Sequence, residues 1–438
     1  MEHSEHFMAG TGEKVQYMVH NFNDNTIRFI QHYPGRPDSA VLRLAVKTVI
    51  DKCIILHSSF TAGKMKAYWK VNESYSENDY FQVTEVTDNL METACEIAAK
   101  AVLPTDKTQL CCHLLTTLQE CALVVCISHL CVDGSDGKYL LAKLAEAYRL
   151  ILEKGNAEEL EIKDGSRKAE QVYEQISKKD YMSLMHNPIP GIKSVFPYPT
   201  QEPGRACLVY EKITSQTLIA AKEKAAVLEA TLNDVLLTAC YYAYASLPGK
   251  RKEEAMSIMS MMDLRRHCKA GDSEGLCNIT GSLPTTLPEG IGASFEETLK
   301  KIAAQTRMQK ENPLAGMEGM PLLHGVVRTI PMGMLQLAAK HVYGSMAVGL
   351  TNLGVLKAEE FAFDNLQPDM AVFGGPLKKK PAMQVSAISL DGDESFVNGG
   401  CTLSVAGEMT KEDEMLILRM LEQIRSEIEK FAGGNDGE

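Results

Sequence analysis

Cys121-Ala122-Leu123-Val124-Val125-Cys126-Ile127-Ser128-His129-Leu130-Cys131-Val132-Asp133-Gly134 is the stretch on which the reading of this chain turns. Its first seven residues, Cys121 to Ile127, are apolar without interruption. A run of that length, closed by polar residues and an Asp-Gly turn signal, reads as a strand buried on both faces. His129 then stands where the strand ends, held rigidly and reachable at the sheet edge. Imidazole titrates near neutrality, so a histidine there can take a proton from a hydroxyl, amine or thiol and later return it. Asp133 is placed either to orient the ring or to anchor the loop through a distant cation, and Gly134 permits a tight turn and close backbone approach.

Working outward, residues 14–20 and 26–32 read as short strands, and Pro37-Asp38 opens a helix to about residue 51 with Leu42, Ala45, Val46, Val49 and Ile50 on one face. A hairpin over 57–71 turning near Ala62-Gly63, a helix over 88–102 and a strand over 109–117 lead into the buried strand. A loop from His129 to Asp136 precedes a helix with Leu140, Leu144, Ala147, Tyr148 and Ile151 on one stripe. Five prolines at 188, 190, 197, 199 and 203 make residues 187–205 the linker between a domain of residues 1–186 and one of residues 206–438. In the second half, strands are expected at 206–213, 255–262, 276–285, 368–374, 382–390 and 396–405. Thr231-Leu232-Asn233-Asp234 has capping-box character, a helix over 410–431 closes the fold, and the Gly433–Glu438 tail reads as disordered. The pattern is that of a mixed α/β protein with two halves of similar size.

The composition narrows the function. With 45 basic against 57 acidic residues the net charge is -12, a poor basis for neutralising nucleic-acid phosphates. No apolar run approaches the roughly 20 residues that span a bilayer, and the start lacks a basic region followed by an apolar one. Twelve cysteines without a Cys-x-x-Cys pair read as free thiols in a reducing cytoplasm, with no metal site.

Other polar residues have ordinary readings. His113 is expected to pack in its strand, His267 to lie in a solvated loop, and Cys131 to point into packing rather than act as a nucleophile. Met256, Met259, Met261 and Met262 read as strand packing, and the apolar positions of 330–348 as core. Lys378-Lys379-Lys380 is either solvated or a contact for the phosphates of a coenzyme.

The His129-x-x-x-Asp133-Gly134 core resembles the H-x-x-x-D-G motif of the thioester-dependent acyltransferase superfamily. That superfamily includes chloramphenicol acetyltransferase, alcohol O-acetyltransferases and the condensation domains of nonribosomal peptide synthetases. Weaker likenesses follow in the family's order: Ile54 to Phe60, Thr231 to Asp234, Met262-Asp263-Leu264-Arg265, Asn278 to Gly281 with Leu283-Pro284, and Thr351-Asn352-Leu353-Gly354. Condensation domains carry a second histidine where this chain has Ser128, which turns the expectation toward a free-standing acyltransferase.

The resemblance implies two chloramphenicol-acetyltransferase-like α/β domains forming a V-shaped pseudo-dimer, with a channel between them and His129 at its middle. It implies transfer of an acyl group from acyl-CoA or a phosphopantetheine thioester, which come and go as co-substrates, to a hydroxyl or amine of a small-molecule acceptor. As the alternative donor the resemblance implies an acyl- or peptidyl-carrier protein. His129 would be the base, and Asp133 would be structural, paired with Arg265. Gly134, Ser282 and Asn352 are the candidate oxyanion donors. No metal and no permanently bound cofactor are expected, and the chain is expected to be a cytoplasmic monomer. A stand-alone condensation-type enzyme and a non-catalytic acyl- or carrier-binding module are the alternatives.

Overall fold

The strand from Cys121 to Ser128 organises the first half because it is buried along its whole length. The computed structural model describes residues 6–63, 66–185, 192, 194–268, 274–343, 348–391 and 400–433. Its first half runs β1 (His6–Met8), α1 (Thr11–Met18), β2 (Thr26–Tyr33), α2 (Ser39–Asp51), β3 (Ser58–Ala62), β4 (Ala67–Val71), β5 (Phe81–Glu85), α3 (Leu90–Ala98), β6 (Leu110–Thr116), β7 (Cys121–Ser128), α4 (Gly134–Lys154) and α5 (Lys178–Ser183). The second half runs β8 (Arg205–Thr214), α6 (Ser215–Val227), α7 (Leu232–Ala245), β9 (Met256–Asp263), β10 (Thr280–Leu287), α8 (Phe295–Glu311), α9 (Met320–Thr329), α10 (Met332–Tyr343), β11 (Val348–Lys357), β12 (Met370–Gly374), β13 (Met383–Asp391), β14 (Gly400–Met409) and α11 (Lys411–Gly433).

Two mixed sheets carry the two halves, in the orders β12-β2-β7-β6-β5 and β10-β9-β11-β13-β14-β8, and β1-β4-β3 form a small third. On β7 the odd positions Leu123, Val125 and Ile127 pack with Leu42, Val46 and Val49 of α2 and Leu140 and Leu144 of α4. The even positions Ala122, Val124 and Cys126 pack with Leu90 and Ala94 of α3, and with Leu208 and Ala406 from the second half. Burying each Val or Leu contributes about 1.5–3 kcal/mol, so the unbroken apolar run is what both layers require. Gly137 brings α4 onto the sheet: a Cβ there would stand 2.7 Å from Phe29 Cε2. One strand crosses between the halves, since β12 pairs antiparallel with β2, Phe373 opposite Phe29. The second half's own core gathers α6, α7 and α11 on its sheet, with Leu237, Tyr241, Ile417 and Leu421 fully buried.

The main elements fall where hydrophobic period and caps place them. Asp38 caps α2 by accepting from the Ala40 and Val41 amides. Thr231 and Asp234 form the expected capping box, with Thr231 N donating to Asp234 Oδ2 at 2.8 Å. One element differs in type: residues 14–18 belong to α1, not to a strand. Val15, Tyr17 and Val19 alternate as in a strand, but Val15, Tyr17 and Met18 pack on Val327, Met332 and Leu335 of α9 and α10, and that contact settles the helix. In the 330–348 segment Met332 and Leu335 are accordingly buried while Met334 and Leu337 are exposed, and residues 344–347 lie outside the described residues.

Of the Pro-rich stretch, residues 187–191 and 193 lie outside the described residues. The described part up to Gly204 has no helix or strand, and its Phe196 and Tyr198 pack into the second half's core. The tail beyond Gly433 and residues 396–399 also lie outside the described residues. Among the described residues no helix is long and apolar enough to cross a membrane.

Candidate active site

α4 begins at Gly134, so the turn after β7 is shorter than expected and winds tightly around His129. The His129 amide donates to Asn25 O at 2.7 Å. Its ring Nδ1 lies 2.8 Å from Val132 O. A carbonyl only accepts, so this contact assigns the proton to Nδ1 and leaves Nε2 with its lone pair. Asn278 Nδ2 donates to His129 O at 3.1 Å and stands 3.4 Å from each ring nitrogen. Asn278 belongs to a family-like segment that the sequence reading assigned no role. Burial is the main influence on the ring and lowers its pKa, as does Lys378. The Val132 contact and the charges of Asp133 and Asp24 oppose them, and the net result lies below 6.5. At neutral pH His129 is therefore an uncharged base.

Asp133 turns away from the ring. Its Oδ1 accepts from Asp136 N at 3.1 Å, capping α4. Its Oδ2 accepts from Ile279 N at 3.0 Å and from Arg265 Nη1 at 2.7 Å. Of the two roles open to it in the sequence, it fills that of anchor, through a cation 132 positions away. Asp136, fully buried, is a second carboxylate in the same knot: its Oδ2 accepts from Cys277 N at 2.8 Å and lies 2.8 Å from Arg265 Nη2. Burial and the Asp133 charge push the Asp136 pKa up to about 7, against Arg265, the Cys277 amide and Lys163. Arg265 also donates to Cys277 O at 2.9 Å and reaches Asp263 at 3.2 Å.

These bonds account for a boundary in the fold. Residues 276–279 were expected in a strand, but β10 starts only at Thr280. The Cys277 and Ile279 amides are spent on Asp136 and Asp133 instead of a ladder. Buried ions need such saturation, because neither charge is tolerable alone.

The remaining predicted residues are less involved. Ser128 is buried at the end of β7 opposite Thr26. Gly134 lies against the second half, where a Cβ would stand 2.8 Å from Leu353 Cδ1. The neighbouring Asn352 donates to Asn233 Oδ1 at 3.2 Å and accepts from Gly354 N at 3.0 Å, while Ser282 is exposed on β10. Neither side chain is hydrogen-bonded to His129 among the described residues. Burial pushes the Cys131 thiol up to about 12, so it is a packed neutral group. His113 is a buried strand histidine, 2.8 Å from Thr84 Oγ1. His267 is half-buried against Ala315 O at 3.0 Å rather than solvated. All twelve cysteines are free. No cluster of three or more His, Cys, Asp or Glu suited to a metal occurs among the described residues.

Comparison with known proteins gives a one-sided result. No protein-family model and no curated protein matches the sequence. Solved structures do match, over nearly the full length of both partners. Polyketide synthase associated protein 5 from Mycobacterium tuberculosis superimposes with a TM-score of 0.66 at 13% identity, covering 98% of this chain and 100% of that one. The first condensation domain of the calcium-dependent antibiotic synthetase, in complex with a substrate analogue, gives 0.66 at 14% identity, covering 99% and 98%. The TRI3 trichothecene 15-O-acetyltransferase from Fusarium sporotrichioides gives 0.67 at 11% identity, covering 96% and 95%. With its two sheet-bearing halves, this chain has the fold shared by the thioester-dependent acyltransferases and condensation domains.

Proposed function

We propose that this protein transfers an acyl group from a thioester donor to a hydroxyl or amine of a small molecule, with His129 as general base. The observation that carries the reading is the Nδ1 contact with Val132 O at 2.8 Å, which leaves Nε2 as the acceptor on a neutral ring. The acceptor's O–H or N–H gives its proton to Nε2 as its heavy atom bonds to the thioester carbonyl carbon. The tetrahedral adduct then collapses with cleavage of the C–S bond, and the proton on Nε2 passes to the departing thiolate. The products are an ester or amide and a free thiol.

The thioester is already activated, so holding both reactants in one orientation supplies much of the rate without an acyl-enzyme. The donor is acyl-CoA or an acyl group on a carrier protein's phosphopantetheine arm. Two of the matching structures, an acetyltransferase and a condensation domain, are in keeping with these arms. Because Ser128 stands where condensation domains have a second histidine, the free-standing acyltransferase is the favoured form.

The test is thiol release from acetyl-CoA and longer acyl-CoAs in the presence of hydroxyl and amine acceptors, with the wild type and His129→Ala compared. Acceptor-dependent thiol release that disappears in the variant supports the reading. Equal release by both proteins removes His129 as base. Thioester binding without transfer to any acceptor favours the non-catalytic module.

A further inference from the structure

The rung of the β2–β7 ladder that holds His129 is half made. Thr26 pairs with Ser128 where β2 begins and β7 ends, so Asn25 and His129 stand opposite one another one step further on. In an antiparallel ladder a hydrogen-bonded facing pair exchanges two N–H···O bonds. The His129 amide makes its bond, to Asn25 O at 2.7 Å. The return bond is not formed, because the Asn25 amide donates to Asn23 Oδ1 at 3.0 Å instead. The His129 carbonyl is left open on that side, and Asn278 of the second half donates to it at 3.1 Å.

The cause lies in the Asn25 backbone, which is left-handed with φ 49°. Antiparallel strands need φ of about -140°, so a residue turned this way carries its own N–H out of the ladder. Among the described residues three other non-glycine residues have positive φ, Asn89, Glu229 and Asp364, and all three are exposed. Asn25 is 1% exposed. Its side chain is only half satisfied: Nδ2 donates to Gln16 O of α1 at 3.1 Å, while Oδ1 is buried with no partner among the described residues. A left-handed backbone and an unpaired buried acceptor are both unfavourable, and residues held in this way gather where position matters to function.

Taking the acyl-transfer reading as the basis, we propose that Asn25 is a positioning residue for His129. Its left-handed backbone opens the rung so that the two halves share the His129 main chain, the first holding the amide and the second the carbonyl. The base is then placed against both halves at once, as a reaction that must orient two substrates requires.

Asn25→Gly and Asn25→Val separate backbone from side chain, since both remove the amide but only glycine takes positive φ freely. Asn25→Val favours the extended form, which completes the rung and displaces Asn278. Transfer is read as thiol release from acetyl-CoA with the best acceptor found for the wild type. Asn25→Gly should stay within about threefold of the wild-type kcat, whereas Asn25→Val should lower kcat about 10- to 100-fold with KM for acetyl-CoA unchanged, the loss expected of a base misplaced by about an ångström.

Combination with Asn278→Ala gives a readout that a merely structural role would not move. Asn278→Ala should weaken transfer and lower the urea midpoint in the wild type and in Asn25→Gly. It should change neither in Asn25→Val, where its hydrogen bond is already gone. Should Asn25→Val not fold, Asn25→Ala, with a milder left-handed penalty, takes its place.

Equal kcat in Asn25→Gly and Asn25→Val overturns the proposal, as does a loss confined to KM or an Asn278→Ala effect that is the same in every background. If the wild type transfers no acyl group from any thioester, the acyltransferase reading fails. The urea midpoints still decide whether Asn25 frees the His129 carbonyl for Asn278, and additive shifts there sink the role of Asn25 by themselves.

Discussion

β2 and β7 lie side by side, and a histidine marks each end of the pair. At one end Thr26 faces Ser128, with His129 just beyond; at the other His32 faces Ala122. The two rings have opposite surroundings. His129 contacts a carbonyl and an amide, and its nearest aspartate is turned to Arg265. His32 is gripped by carboxylates, with Nδ1 2.5 Å from Asp369 Oδ1 and Nε2 3.2 Å from Glu120 Oε2. Burial lowers both pKa values, but at His32 the hydrogen bonds and charges of Asp369 and Glu120 outweigh it and lift the value above 6.5. Asp369 immediately precedes β12, so the His32 contact helps fasten the crossing strand to the first sheet. One sheet thus holds a neutral base at one end and a cationic clamp at the other, and contact with carboxylates decides which is which.

Breaking the chemical end should give the largest effect. His129→Ala is expected to lower acyl transfer about 10²- to 10⁴-fold while circular dichroism and melting temperature stay near wild type. In the wild type the rate should rise with pH through a midpoint below 6.5 and be level above 7, because only the neutral ring accepts a proton. A midpoint above 7 contradicts this assignment.

The ionic knot behind His129 should respond mainly in stability. Asp133→Ala leaves Arg265 and Asp136 without their shared partner and frees the Ile279 amide. Removing one member of a buried pair costs about 3–5 kcal/mol, measurable by urea denaturation. A change below about 1 kcal/mol would show that the knot does not hold the two halves in register.

Asn278→Ala removes one hydrogen bond to the His129 carbonyl, worth about 1 kcal/mol in stability. Transfer should fall by roughly tenfold if the amide steadies the ring. Unchanged kinetics would mean that Val132 alone positions it.

The clamp end should show the smallest effect and a distinct pH signature. A group whose folded pKa is raised stabilises fully below its unfolded value, near 6.5, and loses that contribution as pH rises through the folded value. Wild type should therefore lose about 1 kcal/mol or less on passing from pH 6 to above the folded pKa, and His32→Asn should remove that slope. The same slope in both proteins would exclude His32 as its source.

Much of this architecture was legible in the chain. The apolar run of β7, the Asp38 cap of α2 and the Thr231–Asp234 box of α7 are local signals, and each lies where the residues point. α1 shows the limit of such signals: its alternating apolar residues match a strand until α9 and α10 supply a surface for a helical face. At the site, His129, Asp133 and Arg265 fall in family-like motifs, whereas Asp136 lies in sequence where a loop passes into a helix and carries no local mark of its ionic role.

By itself the sequence determined that a histidine ends a doubly buried strand and that an aspartate and a glycine follow at once, because these depend on neighbours within one or two turns. Only the tertiary structure decided that Asp133 serves Arg265 and not the ring, and that the Asn278 amide reaches the His129 carbonyl. Those outcomes depend on groups more than a hundred residues apart meeting inside a low-dielectric interior, where a single ångström decides whether a charge is paired.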